Sequence, residues 1–168
     1  MARVLVVDDE DDIRDALSVI LEADGHEVLQ AVDGLQALLL IADKSPDVVV
    51  LDIRMPRLDG IEVLRALRTV PPTKDLPVVV VTACGKPNDH QAALTLGVVD
   101  YINKPWAAGE IELRVKWALK RAGTASSLPS KRSSPEGTTT RRGPAGQGIT
   151  GARGHATRAH GTPGSRAE

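Results

Sequence analysis

The chain has 168 residues, a single cysteine and a formal net charge of −1, a length at which one domain buries a real core without disulfides. Its opening residues, MARVLVV, lack the long apolar stretch and small-residue cleavage site of a secretory signal. The longest aliphatic runs, such as Val78 to Val81, fall far short of the roughly 20 residues a spanning helix needs. An internal disulfide and a membrane-spanning helix are not expected, and the expected location is cytoplasmic.

Taken in chain order, the first apolar run covers residues 3 to 8 and predicts a strand. Ile13, Leu17, Ile20 and Leu21 then recur at helical spacing, with Asp11 and Asp12 at the positive N-terminal end and Gly25 just past the last turn. HEVLQAV, residues 26 to 32, mixes polar and apolar positions and resembles an edge strand. Leu35 to Ala42 follows Asp33-Gly34 and stops before Pro46, which predicts a second helix. Residues 47 to 52 and 77 to 82 are apolar, β-branched runs of the kind that fills central parallel strands covered on both faces. Between them, Ile61 to Leu67 follows Asp59-Gly60 and stops before Pro71-Pro72 as a third helix. Residues 88 to 96, closed by Gly97, predict a fourth, VVDYIN at 98 to 103 a fifth strand, and residues 108 to 121 a fifth helix. That last helix carries Ile111, Val115, Ala118 and Leu119 on one stripe, but Ala107-Ala108 is a poor cap for it.

Composition changes after Ala122. Residues 1–122 carry a net charge of −6 and residues 123–168 carry +5, and the only large apolar residues of the second part are Leu128 and Ile149. So little apolar surface does not offset the entropy of ordering a chain, which predicts a disordered basic tail rich in Gly, Ser, Thr, Arg and Pro over 123–168. No DNA-binding domain is expected in the chain, because the tail has no helical periodicity. The folded part, 1–122, is α/β: a (βα)5, doubly wound, five-stranded parallel sheet with helices on both faces.

In such a sheet the carboxyl ends of the strands share one edge. Asp8 and Asp9, Asp52, Thr82 and Lys104 all fall at that edge. Each has a dull explanation when taken singly: acidic residues suit helix N-termini, Thr suits strands, and Lys104-Pro105 is a strand-ending turn. Asp52 is the hardest to dismiss, because it ends a buried strand where an unpaired charge is costly. Clustered carboxylates repel, so a site holding three of them ionised wants a cation, and an all-oxygen donor set selects a hard one such as Mg²⁺. Asp52 then suits a carboxylate nucleophile that forms an aspartyl phosphate. Lys104 suits a counter-charge for the phosphoryl oxygens, and the Thr82 hydroxyl a hydrogen-bond donor to one of them.

These motifs resemble a known family, the receiver domain of two-component response regulators. The carriers are VLVVDDE at 4–10, VVVLDIRMPRLDG at 48–60, VVVVTA at 78–83 and YINKPW at 101–106. The resemblance covers residues 3 to 121 and implies a flavodoxin-like strand order 2-1-3-4-5. It further implies Asp52 as phosphoacceptor, Asp9 as a direct Mg²⁺ ligand with Asp8 assisting partly through water, and the Arg54 backbone carbonyl as another ligand. Thr82 matches the switch hydroxyl, Lys104 the family lysine and Tyr101 the aromatic whose rotation reports phosphorylation. The implied donor is a phosphohistidine on a sensor histidine kinase or phosphotransfer protein. The implied downstream target reads the face of helix four, strand five and helix five. Arg54 and Cys84 occupy positions that tune phosphate lifetime in similar proteins, and Trp106 stands where phenylalanine is common.

Two other readings compete. A haloacid-dehalogenase-like phosphatase shares the strand-end Asp, Thr and Lys, but it needs a further acidic pair on a later strand, and only Glu110 and Glu112 in a predicted helix follow Lys104. A receiver-like docking module that never takes phosphate is the other, and the complete set of acidic residues with Thr82 and Lys104 argues against it.

Overall fold

The computed structural model describes residues 1–83 and 87–125; the expectations placed on Cys84 and on residues 126–168 lie outside them. Strands and helices alternate as β1 (Arg3–Val7), α1 (Asp11–Ala23), β2 (Glu27–Ala31), α2 (Gly34–Lys44), β3 (Val48–Leu51), α3 (Gly60–Thr69), β4 (Val78–Ala83), α4 (Pro87–Thr95), β5 (Asp100–Lys104) and α5 (Glu110–Ala125). All pairings are parallel and the sheet order is β2-β1-β3-β4-β5. This is the expected doubly wound, flavodoxin-like arrangement. The Lys104–Pro105 peptide bond is cis.

Strand periodicity divides the core between the two faces. Leu5, Val7, Val49, Leu51, Val78 and Val80 pack with Ala37 and Ile41 of α2, Val63, Leu64 and Leu67 of α3, and Ala93 of α4. Val4, Val6, Val48, Val50, Val79 and Val81 face the other way, against Leu17 and Leu21 of α1 and Ile111, Val115 and Ala118 of α5. The central strands β1, β3 and β4 bury both faces, which is why their sequences are apolar almost throughout. β2, at one edge, mixes exposed Glu27 and Gln30 with half-buried Val28 and Leu29 and buried Ala31, in keeping with its mixed sequence.

Local signals set the helix starts. Asp33 caps α2 by accepting the Gln36 N–H at 2.8 Å, and Asp59 and Glu62 form a reciprocal capping box on α3. The helix expected from residue 108 begins instead at Glu110. Gly109 there adopts φ +79°, and the Glu110 carboxylate accepts the Ala107 N–H at 3.0 Å, supplying from within the helix the cap that Ala107-Ala108 lacks. At its other end α5 runs to Ala125, past the change in composition after Ala122.

Arg68 ties α3 to the turn that closes α4. Its guanidinium donates to the carbonyls of Leu96 at 2.8 Å and Leu76 at 3.1 Å. Burial lowers its pKa from the ordinary arginine value.

Candidate functional site

Sheet register brings the site together. Val7 pairs with Leu51, so Asp8 and Asp52 emerge side by side from β1 and β3. The ladder continues one step beyond the strands: the Asp52 N–H donates to the Val7 carbonyl at 2.9 Å and the Asp8 N–H to the Ala31 carbonyl at 3.1 Å. Both carboxylates are buried, Asp8 to 1 % exposure and Asp52 to 4 %. Lys104, at the end of β5, pairs in register with Ala83 of β4. Its Nζ lies 2.7 Å from Asp8 Oδ2, 3.1 Å from Glu10 Oε1 and 3.3 Å from Asp52 Oδ2. A buried ammonium thus sits among three carboxylates.

The electrostatics record that crowding. Burial pushes the Asp8 carboxyl above its ordinary value, and the hydrogen bonds from Lys104 and the Glu10 amide, with the Lys104 charge, only partly oppose it, while Asp52 adds to it. For Lys104, burial favours the neutral amine, but Asp8, Asp52 and Glu10 outweigh it and hold the pKa above the ordinary lysine value.

Glu10 is the member that the sequence analysis missed. Its backbone N–H donates to Asp8 Oδ1 at 3.0 Å, forming a tight Asx turn directly after β1. Asp8 and Glu10 therefore come to the same side, and with Asp52 they offer oxygens that all lie within 4.8 Å of one another. Asp9 between them is exposed and does not belong to this group. Strand alternation ends with β1 at Val7, so no periodic signal in the sequence pointed to Glu10; the turn after the strand places it. Arg14 of α1 was also missed. It is 7 % exposed, and its guanidinium donates to the Asp8 carbonyl at 2.9 Å, bracing the turn from behind.

Of the remaining expected residues, Arg54 touches the group directly. Arg54 donates its backbone N–H to Asp52 Oδ1 at 3.2 Å. Thr82 is fully buried at the end of β4. Tyr101 on β5 is half-buried and meets His90 of α4 edge-on, with ring centroids 4.5 Å apart. A cavity of about 460 Å³, lined by Ile13 and Ala16 of α1, Ala83, Pro105 and Trp106, with Glu10 and Lys104, opens beside the acidic group.

The donor chemistry fits a hard divalent cation. Every ligand atom offered is a carboxylate oxygen, two of the carboxylates are buried, and three carboxylates around one ammonium leave negative charge for a cation to offset. A buried carboxylate, an ammonium paired with it and a buried hydroxyl thus stand along one sheet edge.

Comparison with known proteins agrees. Residues 4–116 match the response regulator receiver domain. The chain is 45% identical over 119 residues to the response regulator MprA of Mycobacterium sp. (strain KMS), covering 71% of this chain and 51% of that protein. It is 43% identical over 129 residues to the transcriptional regulatory protein PrrA of Mycobacterium bovis, covering 77% of this chain and 54% of that one. Among solved structures, a response regulator receiver domain protein from Clostridium thermocellum superposes with a TM-score of 0.69 at 31% identity, covering 74% of this chain and 99% of that one. NtrX from Brucella abortus gives 0.69 at 37% identity, over 74% of this chain and 29% of that one.

The chain belongs to the receiver-domain family of two-component response regulators, a family of signalling domains. It spans about half the length of the curated relatives it matches. No described helix is long and apolar enough to cross a membrane.

Proposed function

We propose that Asp52 accepts a phosphoryl group from a phosphohistidine of a sensor histidine kinase or phosphotransfer protein, in a Mg²⁺-dependent reaction that switches partner binding. The observation that carries this reading is Lys104 Nζ held between buried Asp8 and buried Asp52, at 2.7 and 3.3 Å. An Asp52 carboxylate oxygen attacks phosphorus, the N–P bond of the donor breaks, and its electron pair stays with the leaving imidazole. Asp8, Asp52 and the Arg54 carbonyl, with Asp9 turned in from its exposed position on the loop after β1, would hold Mg²⁺, whose charge would offset that of the phosphoryl oxygens. Lys104 supplies further positive charge on the β5 side, and the Thr82 hydroxyl donates a hydrogen bond to the new phosphoryl group. The mostly apolar hollow beside Lys104 supports the approach of a protein donor on that side.

The switch follows from the added charge and acceptor oxygens, which draw Thr82 inward. Tyr101 then rotates into the space released and alters the face of α4, β5 and α5. Leu94, Leu113 and Trp117 are 46 to 48 % exposed on α4 and α5, which supports this face as the one a downstream protein reads. The test is incubation with Mg²⁺ and acetyl phosphate followed by intact mass. One phosphoryl mass is expected on the wild type and none on Asp52→Ala.

A further inference from the structure

The segment between Asp52 and α3 carries a feature that the phosphoryl chemistry does not use. Arg57 has φ +73°, a left-handed conformation that non-glycine residues seldom take. Its guanidinium pairs with Oδ2 of Asp33, at the start of α2. The Asp33 side chain is 8 % exposed, and its other oxygen accepts the Gln36 N–H at 2.8 Å as the α2 cap. Both Asp33 oxygens are engaged, which holds the carboxylate in place, and the Arg57 side chain that reaches it is 63 % exposed.

The neighbouring residues repeat the attachment. A Cβ on Gly34 would stand 2.6 Å from the Leu58 carbonyl oxygen, so the backbone of residue 58 rests directly on α2. The Gly60 N–H donates to the Ile53 carbonyl at 2.9 Å, closing the segment at its base. Arg54 lies inside this closed segment, bonded through its N–H to Asp52. A strained backbone conformation persists only where surrounding contacts over-determine it. The ion pair to Asp33 is the contact that the Arg57 side chain provides.

We propose that the Arg57–Asp33 ion pair is a latch that positions residues 53–59 against α2 and so sets the Mg²⁺ affinity of the site through the Arg54 backbone. The inference rests on the reading of Asp52 as a Mg²⁺-dependent phosphoacceptor. Arg57 is a positioning residue and acts on the site through Arg54.

The test uses the full chain as wild type, Arg57→Gly, Arg57→Lys, Asp33→Asn and the Arg57→Gly/Asp33→Asn double variant. Glycine takes φ above zero freely, and asparagine still caps a helix, so both variants remove the ion pair while keeping the local backbone. Mg²⁺ affinity is read by tryptophan fluorescence, and amide hydrogen exchange of Arg54 and Gly60 is read in EDTA. Arg57→Gly and Asp33→Asn should each weaken Mg²⁺ binding by about tenfold, the scale of groups that orient metal ligands from behind. They should also speed exchange at Arg54 without metal, and the double variant should match either single one. Arg57→Lys should recover most of the loss. Unchanged affinity and exchange with only a lower melting temperature would overturn the latch, as would additive effects in the double variant. A wild type that neither binds Mg²⁺ nor gains phosphoryl mass would overturn the functional reading instead, and the exchange measured in EDTA would still decide the latch.

Discussion

A Cβ on Gly60 would sit 2.3 Å from the carbonyl oxygen of Asp52 and 2.7 Å from Cα of Ile53. The first residue of α3 is thus pressed against the backbone of Asp52 and Ile53, and neither neighbour is a flexible side chain that could yield. Gly60→Ala should cost about 3 kcal/mol, the upper end of overpacking penalties. Because the displaced atoms belong to Asp52 and Ile53, Mg²⁺ binding should weaken as well. Urea unfolding and a Mg²⁺ titration check both effects.

Lys104 neutralises carboxylates that a metal would also neutralise. Lys104→Met should therefore destabilise the metal-free protein by about 3 kcal/mol, the scale for removing one partner of a buried ion pair. Mg²⁺ should recover part of this loss and bind more tightly than to wild type, since the added cation no longer competes with an ammonium. Denaturant unfolding with EDTA and with Mg²⁺ gives the comparison.

The Asp8 carboxyl titrates above its ordinary value of 3.8, so the folded protein holds this proton where the unfolded chain has released it. Below the ordinary value both states are protonated and Asp8 contributes no difference. As pH rises from there through the raised folded value, the Asp8 contribution to stability falls, and it stays lower at neutral pH. Asp8→Asn removes this fall. In EDTA, its stability relative to wild type should increase with pH across that window, as read from unfolding midpoints in a pH series.

Thr82 is fully buried at the end of β4 and is not the nucleophile of the proposed transfer. Thr82→Ala should still gain phosphoryl mass but lose most of the difference in partner affinity between the two forms. Binding to a downstream partner, measured with and without phosphorylation, separates these effects.

The fold was legible because its strongest signals are local. Val48 to Leu51 and Val78 to Val81 are too apolar for any position but the middle of a covered sheet, and Asp33-Gly34 and Asp59-Gly60 mark helix starts through side-chain capping. The start of α5 was less legible, because Glu110 caps the helix from inside it. At the site, Asp8, Asp52 and Lys104 were visible as strand-end residues, and register does the rest. Glu10 and the exposure of Asp9 were not, since both follow from a single hydrogen bond from the Glu10 N–H to Asp8. Arg14 and the Arg57–Asp33 pair escaped for a related reason. A buried arginine on a helix, or one in a turn, has no periodic signature, and its partner is fixed only by tertiary packing.

The central claim is that Asp52 is the phosphoacceptor. Intact-mass and peptide mass measurements of wild type and Asp52→Ala, incubated with acetyl phosphate and either Mg²⁺ or EDTA, test it most directly. The account predicts one phosphoryl group, localised to Asp52, in wild type with Mg²⁺ alone. Phosphoryl mass retained in Asp52→Ala, or absent from wild type with Mg²⁺, would contradict it.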